Sequence, residues 1–202
     1  MSISMRLRSS HASVRSIQAD HDLLDAVIQA MVQIVRAIDK GGKAPDLKVF
    51  RAMLFYIREY PEKMHHPKED HLLFPIVRKR TDEVDQAITE LEAQHTLGDR
   101  LVLHLEHALA RYELEGKPAF ETFYLMVEQY AGFYSAHMRL EEDKILTTAA
   151  EVLTDEDWKK LDAAFTNHED PLIGSQYKDS MEKLFSLIVN LAPSPIGVGP
   201  AL

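Results

Sequence analysis

The chain has 202 residues, 46% of them apolar, a formal net charge of −9 and no cysteine. That length and apolar share suit one globular domain with a real core and an appendage. The acidic balance argues against a nucleic-acid module, no apolar run approaches the roughly 18 residues of a membrane span, and the lack of cysteine excludes disulfides, thiolate zinc sites, cysteine nucleophiles and ordinary iron–sulfur ligation.

Residues 1–13 read as an N-terminal segment. Met1 to Ser10 lacks the apolar stretch of a signal peptide, so a cytoplasmic location is the default. Helix one covers about 14–39 and ends at Gly41-Gly42; its inward stripe runs Val14, Ile17, His21, Leu24, Ile28, Met31, Val35, Ile38. Helix two covers about 46–80. Its stripe reads Leu47, Phe50, Leu54, Ile57, Pro61, then resumes one residue out of step as His65, Glu69, Leu72, Ile76. Pro61 and Pro67 bracket the slip, which predicts a kink or bulge there.

Thr81 is the expected N-cap of helix three, about 82–115, with the stripe Val84, Ile88, Leu91, His95, Gly98, Val102, Leu105, Leu109, Tyr112. Gly116 ends it. Helix four starts near Pro118 and runs to about residue 150, with Phe120, Phe123, Val127, Tyr130, Tyr134, His137 and Glu141 inward. Thr154 and Asp157 make a capping box for a short fifth helix through Phe165. Residues 167–171, with His168, read as a turn, a sixth helix covers about 175–190, and 192–202 form a Pro/Gly-rich tail. The fold class is all-α: an up-down-up-down four-helix bundle over 14–150 with a helical extension over 151–202.

Histidine interrupts the apolar face of all four bundle helices. A buried polar side chain costs free energy unless something satisfies it, and one object can satisfy all of them. In an up-down bundle, residues equally far from a shared loop sit at one height. His21 and His65 each lie about 22 residues from the loop near residue 43, and the same holds for His95 and His137 around Lys117. His65 and His95 each lie about 14 residues from the turn near Thr81. Glu69 and Glu141 each come four residues after a histidine, which puts each pair on one helix face.

Four imidazoles and two carboxylates thus converge at one level. Nitrogen and oxygen donors of this kind suit iron, manganese or zinc. Two octahedral ions offer about 12 positions; four histidines, two bridging carboxylates and one bridging oxide or hydroxide leave about two open. Packing the same six groups as core histidines and glutamates without a metal would be very costly.

These residues resemble the hemerythrin-like family, the HHE cation-binding domain. The matching strings are Ala19-Asp20-His21-Asp22, His65-His66-Pro67-Lys68-Glu69 with Leu73-Phe74-Pro75 after it, Glu92-Ala93-Gln94-His95, and His137-Met138-Arg139-Leu140-Glu141-Glu142. The second string is the most specific. The resemblance covers about residues 14–150, with a weaker likeness in the C-terminal part. It implies a bundle holding two iron ions, oxo- or hydroxo-bridged, on His21, His65, Glu69, His95, His137 and Glu141. The family's oxygen carriers place a fifth histidine one turn later on helix three. Asp99 stands there in this chain, which argues against simple reversible oxygen carriage and for an extra open position.

His66 adjoins the expected ligand His65 but lies off the stripe, so it joins the site only if Pro67 distorts the helix. Glu142 and Asp70 are second to Glu141 and Glu69. His71, His104 and His107 are expected in solvent, and His11 and His168 reach the site only if the chain ends fold back. Tyr130 and Tyr134 are core residues or outer partners of a metal-bound ligand. Trp158 and the sixth helix either cap the bundle or form a homodimer face. The expected partner is a small diatomic ligand or peroxide, with no nucleic acid and no membrane, in sensing, storage or stress protection. Iron-centre repair or peroxide consumption is the enzymatic alternative, and a helical interaction module with a structural metal is the other. The cysteine pair and N-terminal domain of some repair-type relatives are absent.

Overall fold

The structure, a computed structural model, describes residues 11–166, 174–193 and 196–199. The N-terminal ten residues, the turn read at 167–171 with His168, and parts of the tail lie outside the described residues. Among the described residues the chain is helical between short connections, apart from one isolated bridge between Pro193 and Gly199.

Helix α1 (Ala12–Asp39) buries Val14, Ile17, His21, Leu24, Ile28, Met31 and Val35 along one face. Gly41 terminates it in the left-handed region at φ +92°. Gly41 N–H then reaches Ile38 O and Gly42 N–H reaches Ala37 O, each at 2.9 Å, so the last carbonyls of the helix are satisfied. A side chain on Gly42 would meet Ala37 O at 2.7 Å, which leaves room only for glycine.

The second helical region is where the sequence predicts an irregularity, and the structure has two. Helix α2 (Lys48–Glu59) gives way to a π-helical turn (Pro61–His65), a short α3 (His66–Lys68), a second π-turn (Glu69–Leu73) and α4 (Phe74–Arg78). Pro61, Pro67 and Pro75 have no N–H to donate four residues back, so the regular ladder cannot close. Wider turns replace it: His65 N–H reaches Tyr60 O, five residues back, at 3.3 Å. Each wide turn inserts a residue and rotates the helix beyond it. Of the expected inward pair, Ile76 is buried but Leu72 is only half-buried, and Leu73, Phe74 and Val77 are buried beside Ile76 instead.

Helix α5 (Asp85–Glu115) starts later than the Thr81 cap predicts. Thr81 Oγ1 instead accepts Glu83 N–H at 3.2 Å in a turn ahead of the helix. Only Gly116, at φ +69°, separates α5 from α6 (Lys117–Leu140). Helix four is not continuous: a third π-turn (Glu141–Leu146) lies between α6 and α7 (Thr147–Val152). Helix α8 (Asp155–Thr166) comes next, then α9 (Gly174–Leu191).

Packing closes a ring in which α1 touches α2 and α6, and α5 touches α2 and α6. Helix α8 lies on α1, where Ser13 Oγ donates to Asp162 at 2.6 Å, and α9 lies on α2. Two apolar clusters fill the interior. One is built around Met31, Phe50, Met53, Phe123 and Tyr130, the other around Ile17, Phe74, Ile88, Leu146, Trp158 and Phe165. Residues 21, 65, 69, 95 and 141 fall between them along the chain, and His137 lies at the end of the first cluster beside Met138, so buried polar groups separate two apolar cores. No helix among the described residues is long and apolar enough to cross a membrane.

The capping box at α8 is reciprocal. Asp157 N–H donates to Thr154 Oγ1 at 3.3 Å and Thr154 N–H to Asp157 Oδ2 at 3.0 Å, with Arg80 Nε on the same oxygen at 2.8 Å. Thr154→Ala is expected to lower stability by about 1 kcal/mol, read from urea unfolding, because it removes the side-chain half of the cap.

Candidate metal centre

The structure brings all six expected residues together. His21 comes from α1, His65 and Glu69 from the irregular second region, His95 from α5, His137 from α6 and Glu141 from the third π-turn. None is more than 6% exposed, and both glutamates are fully buried. A seventh residue joins them. His66, 3% exposed, stacks on His95 with ring centres 4.0 Å apart and meets His137 edge-on at 5.5 Å.

The seven fall into two groups: His66, His95 and His137 form one, and His21, His65, Glu69 and Glu141 the other. Within each group, donor atoms from the different residues lie within 4.8 Å of one another. His21 Nε2 and His65 Nε2 stand 3.2 Å apart. Glu69 spans both groups, with Oε1 2.6 Å from His65 Nε2 and Oε2 3.5 Å from His95 Nε2. Glu141 Oε2 is 3.2 Å from His21 Nε2. Yet His95 Nε2, His137 Nε2 and all four oxygens of the two glutamates form no hydrogen bond of normal geometry. Buried acceptors facing each other without donors are costly, and a cation between them removes that cost. A cation held by imidazole nitrogen and carboxylate oxygen therefore fits this site.

The outward nitrogens explain why the inward ones converge. His65 Nδ1 donates to Asp20 at 3.1 Å, His95 Nδ1 to Asp70 at 2.8 Å, His137 Nδ1 to Gln94 Oε1 at 3.0 Å and His21 Nδ1 to Glu142 at 2.9 Å. Each bond holds a proton on the outer nitrogen, so Nε2 is the inward atom that can bind a cation once it carries no proton. Each partner adjoins a site residue of its own helical region and reaches the histidine of the next. The sequence α1 to second region to α5 to α6 to α1 closes a ring. Tyr60 Oη extends it by donating to Asp20 at 2.7 Å.

The two π-turns turn both His65 and His66 inward, so the imidazoles number five rather than the four of the apolar stripes. Asp99, where the family's oxygen carriers place a fifth, is exposed. Asp70 and Glu142, which the sequence offers only as rival ligands, are the outer partners of His95 and His21. They do carry a signal: like Asp20 and Gln94, each is adjacent in sequence to a residue of the centre. His71, His104 and His107 are exposed as expected. His11 stacks on Trp158 at 4.0 Å, away from the centre. Tyr134 packs against His66 and His137 at 6.1 and 5.6 Å.

Charge divides the histidines. Burial opposes a proton on His21, but Glu141 and Glu142 outweigh it and push the pKa up to about 9. Burial is likewise outweighed at His65 by Glu69 and Asp20, and at His95 by Asp70 and Glu69; both are raised. Burial prevails at His137, which falls to about 3, and at His66, well below the usual value beside His95. Burial and Glu141 push Glu69 up, while His21 holds Glu141 low against burial.

A proton and a metal compete for the same Nε2 of His21. With that pKa near 9, and His65 raised as well, apparent affinity for a divalent ion is expected to rise with pH from 7 to about 9. Calorimetry in buffers of different ionisation enthalpy checks this by the protons released at pH 7. Asp70→Leu, which leaves His95 without its outer acceptor, is expected to weaken metal binding about 10–100-fold in a chelator competition.

No curated protein and no solved structure gives a significant match to the chain. The family model described as hemerythrin HHE cation binding domain matches residues 8–149, which takes in every residue of the centre and of its outer ring. The chain belongs to the hemerythrin HHE cation-binding family.

Proposed function

We propose that the centre holds two iron ions inside an up-down-up-down four-helix bundle and binds or reacts with oxygen, peroxide or nitric oxide in sensing, storage or stress protection. The observation that carries this reading is the set of buried, convergent donor atoms in two adjoining groups. His66, His95 and His137 hold one ion, His21 and His65 the other, and Glu69 and Glu141 lie between. The reach of Glu69 to both groups supports a bridging role. The closed ring of helix contacts and the single residue between α5 and α6 support the up-down order.

Iron, when bound, supplies electrons to a small ligand at an open position. The chain's own residues decide where that position is. Five imidazoles and two carboxylates would hold the metal, and the side with only His21 and His65 would supply fewer imidazoles and so leave more room for a small ligand. The outer ring holds the imidazoles in one tautomer, so ligand exchange need not reorganise them. Phe74, stacked 5.9 Å from His95, and Tyr134, beside His66 and His137, give the three-histidine side apolar and aromatic neighbours.

Metal content and the visible spectrum of the aerobic protein test this reading. About two irons per chain are expected, with a ferric absorption that azide or nitric oxide shifts. His137→Ala and His66→Ala should each reduce the iron content or change the spectrum. No metal, or one inert ion with an unresponsive spectrum, would overturn the proposal in favour of a helical interaction module.

A further inference from the structure

The centre is fully enclosed at Glu69 and Glu141, but one of its histidines forms the floor of a surface cleft. A cavity of about 290 Å³ lies between α1 and the end of helix four. Asp22, Asp25, Glu142 and Asp143 line it together with Arg139, and His21 is at its base. The carboxylates exceed the guanidinium four to one. A concave mouth of one sign concentrates field lines and raises the local concentration of counter-ions. The mouth therefore favours a cation and disfavours an anion.

The acidic residues alone would mean little; their relation to His21 gives them direction. The His21 ring is the wall between cleft and centre. Its Nδ1 meets Glu142 Oε1 on the cleft side at 2.9 Å, and its Nε2 meets Glu141 Oε2 on the inner side at 3.2 Å. Both oxygens of Glu141 form no normal hydrogen bond. Glu142 keeps a side-chain exposure of 20%, so one carboxylate is in touch with solvent and with the ring at once. The third π-turn produces this arrangement by setting adjacent glutamates on either side of one imidazole.

We propose that divalent cations reach the buried centre through this cleft: Glu142 receives the ion at the floor, its hydrogen bond to His21 Nδ1–H opens, and the ring turns aside so that the ion passes to Nε2 as that nitrogen gives up its proton to water. The inference rests on the reading of the centre as a metal site. Glu142 acts as a transit residue here as well as an orienting one.

The test is stopped-flow uptake of cobalt(II) by the metal-free full-length chain, monitored by the metal's own absorption and repeated over a range of ionic strength. The variants are Glu142→Gln, Glu142→Asp, the double change Asp22→Asn with Asp25→Asn, and a control with the same charge change on the exposed positions Asp99→Asn and Glu121→Gln. The cleft double variant is expected to take up cobalt about 10-fold more slowly at low salt and with a weaker salt dependence. Glu142→Gln should slow uptake similarly, and Glu142→Asp should restore most of the rate. Final stoichiometry should be unchanged in the cleft double variant. Equal rates in wild type and cleft variants, or equal slowing in the control, would overturn the proposal. A wild-type chain that takes up no cobalt would instead overturn the metal-site reading itself.

Discussion

A layer of ionisable side chains crosses the middle of an apolar bundle, and the rest of the structure is arranged to make that tolerable. Five carboxylates, Glu69, Glu141, Asp20, Asp70 and Glu142, surround five imidazoles. Two apolar clusters press on the layer from either end. Burial makes each unmet acceptor expensive, so position matters to within a hydrogen bond's tolerance. The outer ring supplies that precision. Because each helical region holds the histidine of the next, no helix can shift without breaking a bond on both sides. The centre and the helix packing are therefore one constraint, expressed once in polar and once in apolar contacts.

The π-turns are the means by which ordinary helices meet this demand. A regular helix turns adjacent residues about 100° apart, so His65 and His66 could not both face inward from one. The wide turns on either side of α3 relax that spacing, and the prolines that prevent the regular ladder stabilise the alternative by default. The same device recurs at Glu141–Leu146, where no proline forces it. There, the gain is the placement of Glu141 inside and Glu142 outside the His21 ring. Among the described residues, the π-turns are confined to the two regions that contribute the buried glutamates.

Much of this is legible in the residues. His21, His95 and His137 continue apolar series at steps of three and four, and loop distances alone put them level. The apolar series of α1, α5 and α6 are buried almost residue for residue, because nothing interrupts their period before the centre. The features that escape the pattern depend on changes of period. His66 is invisible to a stripe that assumes one turn length, and such a stripe puts Leu72 inward for the same reason. Thr81 has the chemistry of a helix cap, but three residues of turn separate it from the start of α5. The outer partners escape for a different reason: each binds a histidine on another helix, and helix periodicity says nothing about such reach. Adjacency to a ligand is their only local mark.

The two halves of the layer differ in ways that bear on each other. His21 and His65 are backed by the carboxylates Glu142 and Asp20 and face both buried glutamates, whereas the second half has three imidazoles backed by Asp70 and the neutral Gln94. The carboxylates are therefore concentrated around the first half. That half is also the one whose histidine forms the floor of the acidic cleft. Attraction at the mouth, transfer at the wall and the deepest negative charge inside then lie on one line. On the three-histidine half, His95 packs against Phe74, and His66 and His137 against Tyr134. Glu69 reaches both halves and so links them, and it and Glu141 are the most completely buried residues of the centre.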